Sequence, residues 1–133
     1  MTQLVTDQGF TTDDWTAGFT VLGCANDAVA LHVPSDAQPG DIQLNHALQI
    51  IRIDFPSSAD GRGFTIAKQL RLLGYTGRLR AHGHVLADQY AMARRAGFDE
   101  VEITDDLAAR QPEDQWLARA NWQDHDYQSR LRG

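Results

Sequence analysis

The sequence predicts an α/β fold built on a mostly parallel sheet of about four strands, open or half-barrel-like, with the helices mainly on one face. Short β-type runs alternate with stretches of helical spacing between residues 28 and 104, as in repeated strand–helix units. Within the strands, alternate residues sort into an apolar and a polar set. A chain of 133 residues is too short for a closed α/β barrel, which needs about 200 or more.

The predicted elements follow one another without a linker or repeat, which predicts one domain over residues 1–133. Residues 1–27 are rich in Thr, Asp and Gly and are predicted to form an irregular arm. The α/β core covers residues 28–104, and residues 105–133 form a mostly helical tail. Four strands are predicted, at residues 28–33, 49–55, 78–82 and 99–103. The two helices between them, residues 64–73 and 85–96, are each followed by a glycine, Gly74 and Gly97.

One face of the predicted sheet is polar in every strand. Its members are His32, Arg52, Asp54, Arg78, Arg80, His82, Glu100 and Glu102. If the strands lie in sequential order, crossovers of one hand place the helices against the opposite, apolar face. The polar face is then expected to be covered by the N-terminal arm, the tail or a second subunit, and a homodimer is compatible with this arrangement.

Charge is unevenly distributed along the chain. The net charge of −6 argues against nucleic-acid binding, which needs a broad basic face. Residues 51–100 nevertheless hold eight cations against five acids, and eleven of the twelve cations in the chain are arginine. Arginine suits small oxyanions because its planar fork of donors matches their oxygens. The alternative is pairing of these arginines with the acidic ends of the chain.

The single cysteine, Cys24, excludes an intrachain disulfide, a covalent c-type haem and a cluster held by this chain's own cysteines. The sequence therefore leaves any cofactor unknown. No apolar run approaches the length needed to span a bilayer, and the first residues lack the basic start of a secretory signal. We expect a cytoplasmic protein without membrane contact.

The loop after the second predicted strand is the first candidate site. Asp60, Gly61, Arg62 and Gly63 lie where parallel sheets bind ligands, just before a helix, so the loop could hold an anion with Arg62 supplying the charge. The structural alternative is capping of the helix by Ser58 or Asp60, with the glycines needed only for the turn. A dinucleotide site is not favoured, because Ile66 stands where a small residue belongs.

Catalysis is the second possibility, with Asp54, Arg80 and His82 as the candidate residues. Asp54 could orient His82 as a general acid or base. His82 and His84 also have a spacing open to metal binding, with Asp54 or Asp105 as a third ligand. Histidines at strand ends more often make structural hydrogen bonds, so no metal is predicted.

Several motifs together resemble the bacterial "domain of unknown function 934" family over roughly residues 28–104. They include Ile53-Asp54-Phe55-Pro56, Asp60-Gly61-Arg62-Gly63-Phe64, Leu73-Gly74-Tyr75-Thr76-Gly77, Leu79-Arg80-Ala81, Asp88-Gln89 and Arg94-Arg95-Ala96-Gly97-Phe98-Asp99. The family pattern highlights Asp54, Asp60, Gly61, Arg62, Gly63, Arg71, Arg80, Asp88, Gln89 and Arg95. His82 and His84 depart from it.

The resemblance implies an association with assimilatory sulfite reduction, since members of the family are commonly encoded beside the haem-containing sulfite reductase. These proteins are often labelled as probable oxidoreductases. The leading hypothesis is an accessory protein of this step with sulfite reductase as partner. The alternatives are an oxidoreductase with a noncovalent flavin or nicotinamide, and a small-anion binding or hydrolase-like domain using Asp54, His82 and Arg80.

Overall fold

The structure is a computed structural model that describes residues 2–15, 17–21, 29–42, 44 and 48–120. One sheet contains the strands β1 (Thr2–Thr6), β2 (Gly9–Thr11), β3 (Thr20–Val21), β4 (Ala30–Val33), β5 (Ile50–Phe55), β6 (Arg78–Gly83) and β7 (Glu100–Thr104). The helices are α1 (Arg62–Leu72), α2 (Tyr90–Ala96), α3 (Asp105–Arg110) and α4 (Glu113–Leu117), with short 3-10 turns at Pro39–Asp41 and Ala87–Gln89.

The strands lie in the order β2-β1-β7-β6-β5-β4-β3. Strands β3 to β7 are parallel and sequential, whereas β1 pairs antiparallel with β7 and β2 antiparallel with β1. The prediction of an α/β fold with a mostly parallel sheet is confirmed, and the four predicted strands correspond to β4–β7. The strand number is higher than predicted because residues 2–21 contribute three strands.

These three strands escape sequence-based prediction for a physical reason. β1 and β2 contain Thr and Gln beside their apolar residues and gain their extended form by pairing with each other and with β7. β3 has only two residues, Thr20 and Val21, which pair with β4. Strands of this length are stabilised by the neighbouring strand rather than by their own residue preferences.

The apolar face of the sheet carries the hydrophobic core. Neighbouring strands align Leu31, Ile51 and Leu79 in one row, and Val33, Ile53, Ala81 and Val101 in related positions. The helices bury Ile66, Ala67, Leu70, Tyr90, Ala93, Leu107 and Trp116, and all of these belong to the same hydrophobic cluster as the strand residues. The helices therefore pack on this one face of the sheet.

The opposite face is polar, as the alternation predicts. His32, Arg52, Arg80 and Glu100 lie side by side across β4–β7, and Asp54, His82 and Glu102 form the next row. Part of the N-terminal arm covers this face: Asp13 and Asp14 bind arginines of β6, and the Phe19 ring lies 4.0 Å from the Arg52 guanidinium carbon. Cys24 and residues 121–133 of the predicted tail lie outside the described residues.

The predicted helix over residues 85–96 is shorter in the structure. Residues 87–89 form a 3-10 turn, and α2 covers only Tyr90–Ala96. Gly97 ends α2 in the left-handed conformation, with a φ of 115° that a residue with a side chain rarely adopts. Gly97 therefore ends this helix as the sequence predicts.

Candidate functional site

Arg62 begins α1 and lies at the carboxyl ends of β4 and β5. Its backbone N–H and Nε donate to Asp60 Oδ1 at 3.1 and 3.0 Å, and Nη2 donates to Asp60 Oδ2 at 2.8 Å. Nη2 also donates to the hydroxyl of Ser35, which follows β4, at 3.1 Å. The hydrogen bonds from Arg62 hold the pKa of the Asp60 carboxyl well below its usual range. Asp60 thus fixes the orientation of the guanidinium.

One nitrogen of the Arg62 guanidinium remains without a described partner. Nη1 of Arg62 has no hydrogen-bond partner among the residues that the structure describes, and the side chain is 61% exposed. Beside it runs a groove of about 270 Å³, lined by Ser35, Asp36, Ala37, Gln38, Arg62, Thr65, Ile66 and Gln69. Arg62 thus contributes to the lining of this groove, and the two N–H groups of its Nη1 have no described acceptor.

The two glycines flanking Arg62 differ in what they contact. A Cβ on Gly63 would lie 2.5 Å from Cζ of the Phe55 ring, so this glycine lets α1 pack closely on β5. A Cβ on Gly61 would meet only Phe64 Cδ2, at 4.0 Å. Gly63 therefore has a packing role. The predicted alternative of a cap by Ser58 or Asp60 is wrong, because the N-cap of α1 is Gly61 and no side chain caps it; Asp60 instead accepts from the N–H of Arg62, the first helical residue.

Arg80 lies in the centre of the polar face and is fully buried. Nη1 and Nη2 donate to the two carboxylate oxygens of Asp13 at 3.0 Å each, Nε donates to Glu100 at 2.6 Å, and Nη1 donates to Glu102 at 2.9 Å. Burial by itself would lower the pKa of Arg80, but the hydrogen bonds to these carboxylates outweigh it and raise the pKa. Its three nitrogens are thus all bound within the protein, Nε and Nη1 by sheet carboxylates and Nη2 by Asp13 of the arm.

Asp54 and His82 meet on adjacent strands, as proposed for an acid–base pair. His82 Nδ1 lies 3.2 Å from Asp54 Oδ1, and its Nε2 lies 3.5 Å from Glu102 Oε2. Both side chains are about one-third exposed. Glu102 also accepts from Arg80, so the hydrogen bonds and the 3.5 Å contact between His82 and Glu102 connect the three predicted catalytic residues in one cluster.

His32 also belongs to this cluster, although it is not among the predicted catalytic residues. Its ring packs edge-on against His82 at 5.7 Å between centroids, and its Nδ1 accepts from Arg52 Nε at 3.0 Å. Because Arg52 can only donate, this bond identifies the neutral ring with its proton on Nε2. Burial, followed by the charge of Arg52, lowers the pKa of His32. Its place on the polar face was the signal that could have identified it.

The Arg62 site and the polar-face cluster are separate in their contacts. No hydrogen bond or ion pair between described residues joins Asp60 or Arg62 to Asp54, His82 or Arg80. His84 follows β6 and is exposed, and Asp105 is exposed at the start of α3. Within the described ranges, no group of three or more His, Cys, Asp or Glu side chains is placed to hold a metal ion.

The fold and its sites define the chain as an α/β protein whose open, mostly parallel sheet has a charged face and a charged loop at its carboxyl edge. Residues 29–133 match the family described as "Bacterial protein of unknown function (DUF934)", and the chain belongs to this family. Neither a curated protein nor a solved structure matches it. In the described part of the chain, every helix is too short or too polar to cross a membrane.

Proposed function

We propose that this protein is a cytoplasmic accessory protein of assimilatory sulfite reduction that binds a small oxyanion at Arg62 and acts together with sulfite reductase. The link with sulfite reduction comes from the family resemblance in the sequence. The observation that carries the binding site is the oriented guanidinium of Arg62, whose Nη1 has no described partner. The same side chain lines the groove together with Ser35 and Gln38.

The geometry favours recognition by hydrogen bonds over attraction by net charge. Asp60 neutralises Arg62, and Asp36 adds a negative charge nearby. A bound oxyanion would accept from the two N–H groups of Nη1, while the side chains of Gln38, Thr65 and Gln69 line the groove around it. We therefore expect moderate affinity with a preference for pyramidal or tetrahedral oxyanions over chloride.

Titration of the purified protein with sulfite and sulfate by calorimetry tests the binding site. We expect Arg62→Ala to weaken binding at least about tenfold, because it removes a charge-assisted hydrogen-bonding group. Arg110→Ala, which removes an exposed arginine at the end of α3, is the matched control and should bind as the wild type does. Equal affinity of Arg62→Ala and the wild type would refute the site.

Growth of a deletion strain tests the assignment to sulfite reduction. We expect the strain to grow on sulfide and to fail on sulfate and sulfite as sole sulfur sources. The wild-type gene and the Arg110→Ala allele should restore growth, whereas Arg62→Ala should not. Equal growth on all three sources would remove the assignment, and purified protein that retains a flavin would favour the oxidoreductase alternative.

A further inference from the structure

The arm that crosses the polar face is held there by side chains. The carboxylate of Asp13 accepts from Nη1 and Nη2 of Arg80, both at 3.0 Å. The carboxylate of Asp14 accepts from Nη2 and Nη1 of Arg78, at 2.9 and 3.4 Å. Phe19 stacks over Arg52. In the described part of the arm, residues 12–15 and 17–19 form no helix or strand, and no backbone hydrogen bond joins them to the sheet.

The charges of the sheet balance without the arm. The three arginines Arg52, Arg78 and Arg80 are matched in number by three carboxylates on the same face of the sheet, those of Asp54, Glu100 and Glu102. Glu100 and Glu102 of β7 pair with the arginines, and Asp54 of β5 contacts His82. The carboxylates of Asp13 and Asp14 are therefore two negative charges beyond this balance. When the arm leaves, no sheet carboxylate loses its arginine. Arg80 Nη2 and Arg78 Nη1 then lose their described acceptors, while the other nitrogens of both groups keep Glu100 and Glu102.

We propose that Arg78 and Arg80 form a second oxyanion site, and that Asp13 and Asp14 occupy it as internal ligands which a small oxyanion replaces when the arm opens. The site is independent of Arg62 and does not depend on the function proposed above. The arm thus acts as a strap that keeps the site closed.

The two guanidinium groups are close enough to share one anion. Arg78 Nη2 and Arg80 Nε both contact Glu100 Oε2, at 2.7 and 2.6 Å. On the side of the arm, Asp14 Oδ1 lies 2.9 Å from Arg78 Nη2 and 3.9 Å from Arg80 Nη2. A single oxyanion at that position would accept from both arginines, as a sulfate or a carboxylate does in a paired-arginine site.

The ion pairs that hold the strap are partly exposed to solvent, so they can be displaced. Asp14 is 67% exposed and Asp13 is 29% exposed, so salt screens the first pair more than the second. Arg78 is partly exposed, whereas Arg80 is fully buried. An incoming anion therefore reaches Arg78 first, and access to Arg80 follows displacement of Asp13.

Calorimetric titration with sodium sulfate tests the proposal, with sodium chloride keeping the ionic strength constant. We expect Asp13→Ala/Asp14→Ala to bind sulfate at least about tenfold more tightly at this site than the wild type. Adding Arg78→Ala to the double variant should abolish the gain, whereas adding Arg62→Ala should leave it. The last variant separates this site from the one in the groove.

Circular dichroism and thermal unfolding establish that each variant is folded. Should the double variant not fold, Asp14→Ala alone frees only the fork of the partly exposed Arg78, and we expect a smaller gain that Arg78→Ala removes. The proposal is overturned if folded Asp13→Ala/Asp14→Ala, or folded Asp14→Ala in its place, binds sulfate no more tightly than the wild type. It is equally overturned if the gain survives Arg78→Ala.

Discussion

Individual arginines in this protein differ in how many of their donors the protein itself occupies. All three nitrogens of Arg80 bind carboxylates, and the guanidinium of Arg71 is bound to three carbonyl groups and Asp99. Arg62 has the same chemistry but keeps Nη1 without a described partner. The type of residue therefore does not identify a binding site, since the surrounding acceptors decide which guanidinium can take a ligand.

The glycines around Arg62 give a prediction at the scale of single residues. Gly63→Ala should lower the free energy of unfolding by about 1–3 kcal/mol, because its Cβ would overlap the buried Phe55 ring. Gly61, two residues earlier, has a φ of −89°, and a Cβ there would lie 4.0 Å from Phe64 Cδ2 without overlap. Gly61→Ala should therefore be neutral or slightly stabilising. Urea unfolding of both variants checks this, and equal stabilities would contradict the packing role of Gly63.

Among the elements, α1 depends on a contact network at its carboxyl end. Arg71 Nη1 donates to the carbonyls of Tyr75 and Gly77 in the loop before β6, at 3.0 and 2.7 Å. Its Nε and Nη2 donate to the carbonyl of Gly97 after α2, at 3.0 and 2.8 Å. One side chain thus joins the ends of two helices and satisfies carbonyl groups that have no partner in a helix.

Replacing Arg71 by lysine should therefore be costly although the charge is kept. An ammonium group cannot span the three carbonyls, and we expect a loss of about 1–3 kcal/mol in the free energy of unfolding. Lys68→Arg, on the exposed side of the same helix, is the control and should change stability by less than about 0.5 kcal/mol. Denaturant unfolding measures both. A fully stable Arg71→Lys would show that the carbonyl contacts contribute little.

For the molecule as a whole, the sheet separates two environments. All described helices pack on its apolar face, while its other face collects charged and histidine side chains beneath the arm. The arm partly covers that face, and burial lowers the pKa of His32 within it. The dependence of the free energy of unfolding on pH therefore tests this burial of His32.

We expect the free energy of unfolding to fall as the pH drops below about 6.5, the ordinary value for histidine. The pKa of His32 is lowered in the folded state, so the unfolded chain binds its proton first, and the loss ends below the folded pKa. His32→Gln should reduce this dependence, and His84→Gln, an exposed control, should keep it. Unfolding at pH 7.5, 6.5 and 5.5 provides the measurement; the same slope in all three proteins would contradict the prediction.

Much of the polar face could be predicted because strand alternation is a local property. His32, Arg52, Arg80 and Glu100 lie in register as their spacing indicates, and the pair of Asp54 and His82 is present. The occupation of Arg80 could not be predicted, because Asp13 is 67 residues away in the sequence. The packing role of Gly63 could not be predicted either, because it depends on how closely α1 approaches the Phe55 ring of β5.

The sequence by itself determined the class of fold, the four central strands, the helix ends at glycine and the division of the sheet into two faces. Those features follow from short-range preferences and from periodicity. Only the tertiary structure decided that residues 2–21 add three strands, that Asp13 binds Arg80, and that Arg62, which lines a groove, keeps one nitrogen without a described partner. Contacts between distant segments decide these features, because a charged side chain finds its partners only after the chain has folded.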